Sequence, residues 1–296
     1  MNGIICINKK QNITSFGVCA KLRGILGEKK VGHTGTLDPM AEGVLPVMIG
    51  GATRFLNFLP ESDKGYRASF ILGKTTDTLD ITGNVTAEYE NNVSESDVSE
   101  ALKFFKGKIM QTPPMYSAVS VNGKRLYELA RQGIEVERKE REIEIKRLEL
   151  VENINGEYVI DVFCSKGTYI RSLIDDIGRM LGCGAVMTSL VRTSAMGFTL
   201  ENCTTLDELQ QRKNENIGFD DILLPLDQVL SAYNKITISP AQSVRFKNGG
   251  SLDLARIKKQ LIKEEIYRIY NPEGDFLGLG QAVNEELIIK RIYTEK

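Results

Sequence analysis

The chain has 296 residues, of which 42% are hydrophobic and 26% charged, a composition typical of a folded globular protein and not of a disordered one. Residues 1–10 contain neither the basic start nor the apolar run of a secretion signal, and no later stretch reaches the length of a membrane span. We therefore expect a cytoplasmic protein with no membrane partner.

The cysteines and the histidine limit the chemistry that is open to the chain. The 5 cysteines are widely spaced and include no Cys-x-x-Cys pair, which argues against a disulfide framework and against a zinc site. His33 is the only histidine, so a histidine-based metal cluster is excluded. We expect no metal, and we expect carboxylates, tyrosines or lysines to carry any acid–base chemistry.

The net charge of −1 is low for a protein that binds nucleic acid, but the charges are unevenly distributed. Residues 75–100 hold seven acids and no base, whereas residues 245–263 hold six bases and one acid. Such segregation permits a basic face on a neutral protein, although the same pattern also occurs on ordinary solvated surfaces.

The first third of the chain alternates strand and helix patterns. An apolar run at 3–8 predicts a buried strand, and Thr14 or Ser15 is placed to cap a following helix. Alternation of Tyr66, Ala68, Phe70 and Leu72 predicts a strand with one buried face. This strand is predicted at 64–72. The other elements predicted here are a strand at 44–49 and a short helix at 52–59.

The remainder of the chain has two parts. The predicted elements of the first part are a helix at 94–105, a proline-marked bend at 111–118, a turn at 122–123, a helix at 125–132, strands at 141–151 and 157–164, a helix from 170 to 181 and a capping box at 205–208. A polar stretch at 213–225 follows. From residue 234 the pattern changes to short strands with turns at 248–250, 271–274 and 278–280.

Residues 31–55 are the stretch of the sequence that is most informative about function. Gly32, Gly35 and Gly43 surround Asp38, and we expect these glycines to free the backbone so that a ligand can approach the carboxylate. A purely structural interpretation exists, because Asp38 followed by Pro39 is also a common helix or turn start.

The string His33-Thr34-Gly35-Thr36-Leu37-Asp38-Pro39, continued by Ala41-Glu42-Gly43-Val44-Leu45-Pro46, resembles the catalytic loop of the TruB family of tRNA pseudouridine-55 synthases. The resemblance implies that Asp38 is the catalytic carboxylate. The string at 75–83 resembles a second family motif, in which Asp77 helps to build the active cleft, although an Asx-type turn explains Asp77 equally well.

The string at 164–171 resembles a third family motif, which implies that Arg171 pairs with Asp38 and that Tyr169 packs in the same pocket. An arginine in the first turn of a helix is disfavoured by the helix dipole, so Arg171 should have a specific anionic partner. Val191 departs from a Leu-Arg-Arg pattern of the family, and we expect a phosphate contact to be lost there.

The resemblance also implies roles for residues near the loop. Tyr66 would stack on the uracil and handle the proton at its C5, and Leu190 would form an apolar wall of the uracil pocket. His33 would occupy the gap left by a flipped base, and Gly32 and Thr36 would contact the substrate on the same loop.

The implied fold class is α+β, with a mixed, largely antiparallel sheet flanked by helices and a small β-rich C-terminal domain. Residues 1–233 would form the catalytic domain, with an insertion at 113–141 that grips the T-loop, and residues 234–296 would form a PUA-like RNA-binding domain. Gly73-Lys74-Thr75 lacks the first glycine of a phosphate loop, so we expect no nucleotide cofactor and no cofactor of any other kind.

The implied function is isomerisation of uridine-55 of tRNA to pseudouridine by base flipping and an essential aspartate. The implied partner is the T-arm of tRNA, bound by a monomer with no obligate protein partner. The main alternative is a non-catalytic tRNA-binding or folding factor on the same fold. A glycosidase would need a second acid paired with Asp38, which the sequence does not mark, and a guide-RNA-dependent relative is a further alternative.

Overall fold

The computed structural model describes residues 1–60, 62–121, 123–257 and 260–294. The predicted turn residue Asn122 and two of the predicted bases, Lys258 and Lys259, lie outside the described residues. The helices are α1 (Ser15–Leu26), α2 (Glu95–Lys103), α3 (Leu126–Ala130), α4 (Ile170–Met180), α5 (Leu206–Asn214), α6 (Leu226–Val229) and α7 (Pro240–Lys247).

Two large sheets and two small hairpins contain the strands. The strands are β1 (Gly3–Lys9), β2 (Val31–His33), β3 (Glu42–Ile49), β4 (Lys64–Leu72), β5 (Lys74–Thr76), β6 (Val85–Glu88), β7 (Gly107–Gln111), β8 (Ser120–Val121), β9 (Lys124–Arg125), β10 (Arg141–Ile154), β11 (Glu157–Cys164), β12 (Ala185–Ala195), β13 (Phe198–Thr199), β14 (Asn234–Thr237), β15 (Leu252–Asp253), β16 (Ile266–Tyr270), β17 (Phe276–Val283) and β18 (Glu286–Ile292).

The larger sheet has nine strands and carries the candidate site. Its main path runs β1-β3-β12-β4-β11-β10-β7, with β2 paired to β3 and β13 paired to β12. All of these pairs are antiparallel except β3 with β12, whose short parallel contact joins Gly43 to Arg192. The sheet is therefore mixed and largely antiparallel, as expected.

Alternation of side chains explains why the β1–β3 end of the sheet is buried on both faces. Ile5 and Ile7 of β1 point into the main core, which contains side chains of α1, α2 and α4. Ile4, one residue away, points to the opposite face and packs with Phe55 and with Leu279 of the C-terminal sheet. This end of the sheet thus supports the site on one side and the C-terminal domain on the other.

Local sequence explains where the helices next to the site begin. The Thr14 side chain accepts a hydrogen bond from the Gly17 amide at the start of α1, and Gly27 ends this helix in the left-handed conformation. Helix α4 buries Leu173, Ile174 and Ile177 against the sheet, in the i, i+1, i+4 spacing of an apolar helix face.

The second sheet has five strands in the order β14-β16-β17-β18-β15 and its own core around Phe246 and Ile269. It confirms the expected β-rich C-terminal part, but the predicted turn at 278–280 was wrong, because Gly278, Leu279 and Gly280 lie inside β17. A Cβ at Gly278 would lie 2.1 Å from the Arg291 carbonyl oxygen, so this glycine serves close strand approach. Helix α7 was not predicted.

Several predicted boundaries are confirmed and others shift. Strands at 64–72 and 157–164 have the expected ends. Residues 52–59 form part of a 3-10 helix, Gly50–Phe58, and the helix predicted at 125–132 spans only Leu126–Ala130. Within the described ranges, no helix is long and apolar enough to cross a membrane.

Candidate active site

The loop that carries Asp38 connects β2 to β3 and is held by hydrogen bonds from the start of α1. Ser15, the first residue of α1, donates its hydroxyl to the Leu37 carbonyl at 3.1 Å and accepts from the Leu37 amide at 2.8 Å. Leu37 itself is buried in the main core. Asp38 is thus held between a buried neighbour and Pro39, and its side chain remains one-third exposed.

Lys9 supports the same loop from the end of β1. Its side chain is buried, and its ammonium group donates to the carbonyls of Ile13 at 2.8 Å, Lys10 at 3.0 Å and Pro39 at 3.3 Å. Burial lowers the pKa of Lys9 to about 8, and the negative charges of Asp38 and Glu42 oppose that shift. The ammonium group therefore joins the segment between β1 and α1 to the loop at Pro39 and places positive charge near Asp38.

Arg192 holds the other side of the loop. Its side chain is 1% exposed, and it donates from Nε to the Val44 carbonyl at 2.7 Å, from Nη1 to the Thr36 carbonyl at 3.3 Å and from Nη2 to the Gly35 carbonyl at 3.2 Å. The parallel contact between β3 and β12 brings these groups together. A Cβ at Gly43, where φ is +100°, would lie 2.3 Å from the Arg192 carbonyl oxygen, so this position requires glycine.

Arg171 is the centre of the site. It lies in the first turn of α4 and is 4% exposed, and its Nη2 contacts the Asp38 carboxylate at 2.9 Å. Nη1 lies 3.7 Å from the Asp80 carboxylate. The two terminal nitrogens also donate to the carbonyls of Thr78 at 2.9 Å and Tyr116 at 2.8 Å. The anionic partner expected from the helix dipole argument is present.

These groups surround a cavity of about 240 Å³. Asp38 and Arg171 lie on its wall together with Tyr66 and Leu190, which neighbouring strands β4 and β12 present on one face of the sheet. Tyr169 also lines the cavity. The exposed residue Thr36 lines the cavity as well. The sequence-predicted residues that meet at this cavity are therefore Thr36, Asp38, Tyr66, Tyr169, Arg171 and Leu190.

Tyr66 faces this cavity from an almost fully buried position. Burial raises the pKa of its hydroxyl to about 12, and the positive charge of Arg192 opposes the increase. The hydroxyl therefore carries its proton throughout the neutral range. Lys64, two residues before Tyr66 on the same strand, also lines the cavity, and burial lowers its pKa.

Tyr169 is held in place by two different contacts. The Gln111 side chain donates to the Tyr169 carbonyl at 3.0 Å and accepts from the Tyr169 amide at 2.8 Å. The Arg141 guanidinium lies 4.8 Å from the centre of the Tyr169 ring, within cation–π range. Gln111 and Arg141 stand at the two ends of the predicted insertion, so Tyr169 is positioned where the insertion leaves and rejoins the sheet.

Two candidates on β2 lie beside the cavity and not on its wall. Gly32 and His33 belong to the strand paired with β3. We expected Gly32 and Gly35 to use the backbone freedom of glycine, but neither of these two glycines has a positive φ. Burial and the charge of Arg192 lower the pKa of His33, and its buried Nδ1 has no hydrogen-bond partner among the described residues.

The resemblance implies that Asp77 helps to build the active cleft, but Asp77 is exposed and is not among the residues that line the cavity. Its side chain accepts from the backbone and side-chain amides of Asn84, seven residues later, whereas an Asx-type turn is made by Asp80 with the Thr82 amide. Asp80, three residues after Asp77, is the buried carboxylate near Arg171, and it also accepts from Thr78 and from the Thr82 amide. Asp77 and Asp80 both lie in the Thr-rich string at 75–83, and the geometry of the turn determines which of the two is buried.

Sequence reasoning also missed the supporting roles of Lys9, Ser15 and Arg192. No clear signal in the sequence indicated Lys9, which is followed by another lysine, or Arg192, whose strand also contains serine and threonine. The Asp80 side chain is buried and does not line the cavity, so Asp38 is the carboxylate that faces it. In the part of the chain that the structure describes, no group of three His, Cys, Asp or Glu side chains is arranged to hold a metal.

Family models match almost the whole chain. Residues 23–170 match the TruB family pseudouridylate synthase N-terminal domain, residues 171–231 the tRNA pseudouridylate synthase B C-terminal domain, and residues 235–292 the pseudouridine synthase II TruB C-terminal domain. The fold and the site therefore define a pseudouridine synthase, an isomerase.

Curated relatives narrow this class. A tRNA pseudouridine synthase B of Clostridium tetani is 45% identical over 294 residues, which is 99% of each chain. An enzyme of the same name from Bacillus pumilus is 42% identical over 286 residues, covering 94% of this chain and 92% of that one. The chain belongs to the TruB family of tRNA pseudouridine synthases.

Solved structures agree with this assignment. A chain in the crystal structure of a Cbf5-Nop10-Gar1 complex is 26% identical with a TM-score of 0.74, covering 99% of this chain and 85% of that one. A chain of the archaeal box H/ACA sRNP Nop10-Cbf5 complex is 25% identical with a TM-score of 0.72, covering 99% and 86%. The α+β fold of a pseudouridine synthase catalytic domain with a C-terminal β-rich domain is therefore shown.

Proposed function

We propose that the enzyme isomerises uridine-55 in the T-loop of tRNA to pseudouridine, and that Asp38 is the catalytic carboxylate. The observation that carries the proposal is the 2.9 Å pair between Asp38 and Arg171 at a cavity walled by Tyr66 and Leu190. A carboxylate exposed beside a phosphate backbone would weaken RNA binding, so its presence here favours chemistry over simple recognition.

The proposed reaction breaks the bond between C1′ and uracil N1 and forms a bond between C1′ and C5. The proton on C5 is released and N1 gains a proton, so the conversion needs no redox or energy cofactor. Asp38 attacks the sugar or the base, and the positive charge of Arg171 stabilises the carboxylate before that step. A cavity of about 240 Å³ is small enough to retain the detached base while it turns.

Tyr66 is proposed to stack on the uracil and to relay the C5 proton. With its pKa raised to about 12, the hydroxyl is protonated at neutral pH, so it must release its own proton as it accepts another. The positive charge of Arg192 would stabilise negative charge on the phenolic oxygen during that exchange. Leu190 supplies an apolar wall.

Base flipping is proposed because a uracil in folded RNA cannot reach a cavity of this kind, and unstacking it costs a few kcal/mol. A second cavity, of about 480 Å³, shares Asp38 and Arg171 in its wall with the first. It is lined partly by Tyr116, Tyr127 and Arg131 of the insertion at 113–141. This arrangement supports the proposal that the insertion grips the T-loop while the base enters.

The C-terminal residues 234–296 are proposed to be a PUA-like RNA-binding domain. Arg245, Lys247, Arg256 and Lys263 are exposed bases of its basic stretch. We also propose that the enzyme acts as a monomer without a guide RNA or a partner protein. The chains it resembles in solved structures are parts of complexes, so this proposal needs a direct measurement of mass in solution with and without tRNA.

One experiment tests the proposed reaction. The protein is incubated with tRNA tritiated at uracil C5, and released label is counted without any added cofactor. Stoichiometric release that disappears when uridine-55 is replaced by cytidine is the expected result. Tight tRNA binding with no release would favour the alternative, a non-catalytic tRNA-binding or folding factor. Release that survives the uridine-55 replacement would contradict the assignment of the target position.

A further inference from the structure

Two cysteines far apart in sequence meet at the edge of the nine-stranded sheet. The sulfur atoms of Cys6 on β1 and Cys203 lie 3.1 Å apart. The backbone holds them there, since the Thr204 amide donates to the Cys6 carbonyl at 3.0 Å and the Thr204 carbonyl accepts from the Asn8 amide at 2.9 Å. The contact therefore follows from strand-like pairing of residues 203–204 with β1.

The two thiols differ in exposure. Cys6 is 3% exposed and packs with Val44 and Ala195, whereas Cys203 is half-buried at the surface. The other cysteines, Cys19, Cys164 and Cys183, are buried and their contacts do not include a second thiol in the described ranges. An oxidant in solution therefore reaches Cys203 first.

Hydrogen bonding also distinguishes the two thiols. The Cys203 thiol donates to the Thr199 carbonyl at 3.3 Å, which leaves the Cys6 thiol as the donor in the contact between the sulfurs. That hydrogen bond, together with burial, raises the pKa of Cys6 above its usual value. The same bond and the charge of Arg192 lower the pKa of Cys203 in spite of burial.

We propose that Cys6 and Cys203 form a reversible disulfide on exposure to a hydroperoxide, with Cys203 as the attacking thiol and Cys6 as the resolving thiol. The Cys203 thiolate attacks the O–O bond, giving a sulfenic acid and releasing the alcohol or water. The Cys6 sulfur then attacks the sulfenic sulfur, and the hydroxide that leaves takes the Cys6 proton as water. The two thiols lose two electrons, and the peroxide gains them.

The disulfide should stabilise the fold without changing the active site. The sulfurs must approach by about 1 Å to reach a bond length of about 2.05 Å. That movement can be made by the partly exposed Cys203 segment, whereas β1 is locked into the sheet by its full register with β3. Neither cysteine lines the cavity that contains Asp38. The bond would close most of the chain into one loop, which favours the folded state.

The test uses wild-type protein with hydrogen peroxide as the oxidant. After blocking with an alkylating reagent, we expect three free thiols in place of five, and a linked peptide containing Cys6 and Cys203 in a non-reducing digest. Dithiothreitol should restore all of the thiols. Tm should rise by a few degrees on oxidation, while tritium release from tRNA should change less than about twofold.

Two variants and a control make the result specific. Cys203→Ser should abolish the linked peptide and the Tm increase, and Cys6→Ala should stop at a trapped sulfenic acid on Cys203. Cys183→Ser, which removes a buried thiol elsewhere, should give the same linked peptide and the same Tm increase on oxidation as wild type.

A folded wild type that forms no Cys6–Cys203 link, links other cysteines, or instead binds zinc through the unoxidised pair would overturn the proposal. An unchanged or lower Tm on oxidation would overturn its stabilising role, and loss of activity would contradict its separation from the active site. None of these outcomes depends on which uridine is modified.

Discussion

The loop of residues 34–41 and the insertion of residues 113–141 contribute to the same cavities but are held very differently. The loop is fixed by Ser15, by two buried cations, Lys9 and Arg192, and by Arg171. The insertion is fixed mainly at its base, where the Thr112 carbonyl accepts from Ser172 and the Tyr116 carbonyl from Arg171. Beyond this base, its described residues form two two-residue strands and a five-residue helix.

The difference indicates a division of labour within the site. The carboxylate proposed to perform the chemistry is held in place before substrate arrives, which would minimise reorganisation at the transition state. The segment proposed to grip RNA has short elements, and exposed residues at 131–135, which would let it adjust to a folded RNA at low cost. Substitutions in the two regions should therefore separate turnover from binding.

The largest effect is expected for Asp38→Asn. The substitution removes the charge and retains nearly the same volume, so turnover of tRNA should fall by at least about four orders of magnitude. Affinity for tRNA should stay within about tenfold, because the insertion and the C-terminal domain are unchanged. Single-turnover tritium release and filter binding measure the two quantities. A parallel loss of binding would show that Asp38 is structural.

Tyr66 should be next, and two substitutions separate its proposed roles. Tyr66→Phe keeps the ring and removes the hydroxyl, and it should cut the single-turnover rate by roughly a hundredfold or more if the hydroxyl relays the proton. Tyr66→Leu also removes stacking, worth about 1 to 3 kcal/mol per base, yet should be little slower. A near-wild-type rate for Tyr66→Phe would remove the catalytic role and leave stacking alone.

The two acids of the Thr-rich turn give a matched pair. Asp80→Asn removes a negative charge 3.7 Å from Arg171 and weakens the hydrogen bonds that the carboxylate accepts from Thr78 and the Thr82 amide. Because hydrogen bonds to charged groups contribute about 1.5 to 3 kcal/mol, the rate should fall by about tenfold to a hundredfold. Asp77→Asn alters only an exposed turn and should retain the wild-type rate. The rates at saturating tRNA are compared directly. A larger effect at Asp77 would restore the original interpretation of the motif.

The C-terminal domain cannot be tested by deletion. Removing residues 235–296 would expose Phe55, which packs with Phe276 and Tyr293 across the two sheets. Charge substitution is the better test. Lys247→Gln combined with Lys263→Gln should lower affinity a few-fold and reduce the slope of log affinity against log salt by about 1.4 to 1.8. Lys103→Gln on α2 is the control, and an unchanged slope in the double variant would contradict RNA binding by this surface.

The smallest effect concerns the pH dependence of stability at the insertion. Burial, then the charge of Asp175, raises the pKa of Asp176 to about 6, and Glu140 near the end of the insertion adds to the increase. The folded state therefore binds a proton that the unfolded state has released, and this stabilisation is lost as the pH rises from about 4 through 6. Asp176→Asn should raise Tm at pH 7.5 and leave it nearly unchanged at pH 4.5. Equal shifts at both values would exclude titration of Asp176 as the cause.

Much of the site could be predicted because its motif residues act locally. Asp38 lies in a continuous string at 33–46 that carries the family resemblance, and Arg171 could be predicted to need an anion from its place in a helix. Asp80 could not be separated from Asp77, since three residues of turn geometry decide which acid turns inward. Arg192 holds the loop only because Gly43 allows a parallel contact between strands distant in sequence.

The fold was predicted where alternation is strong, as in β4 and β11, and less well in the C-terminal domain. Glycines at 278 and 280 indicate a turn by local preference, but in the structure they allow neighbouring strands to approach. Likewise, no local pattern shows that Phe55 packs against the C-terminal sheet, because that contact depends on how the two sheets are oriented.

One nitrogen atom connects the insertion to the carboxylate proposed for catalysis. Nη2 of Arg171 serves both the Tyr116 carbonyl, at the base of the insertion, and the Asp38 carboxylate. This nitrogen carries two N–H groups, one for each acceptor, so a displacement of Tyr116 would leave one buried N–H of Arg171 without a partner while the other stays on Asp38. The base of the insertion and the carboxylate are thereby joined through a single guanidinium group, and the cost of an unpaired buried donor favours the position in which both contacts are made.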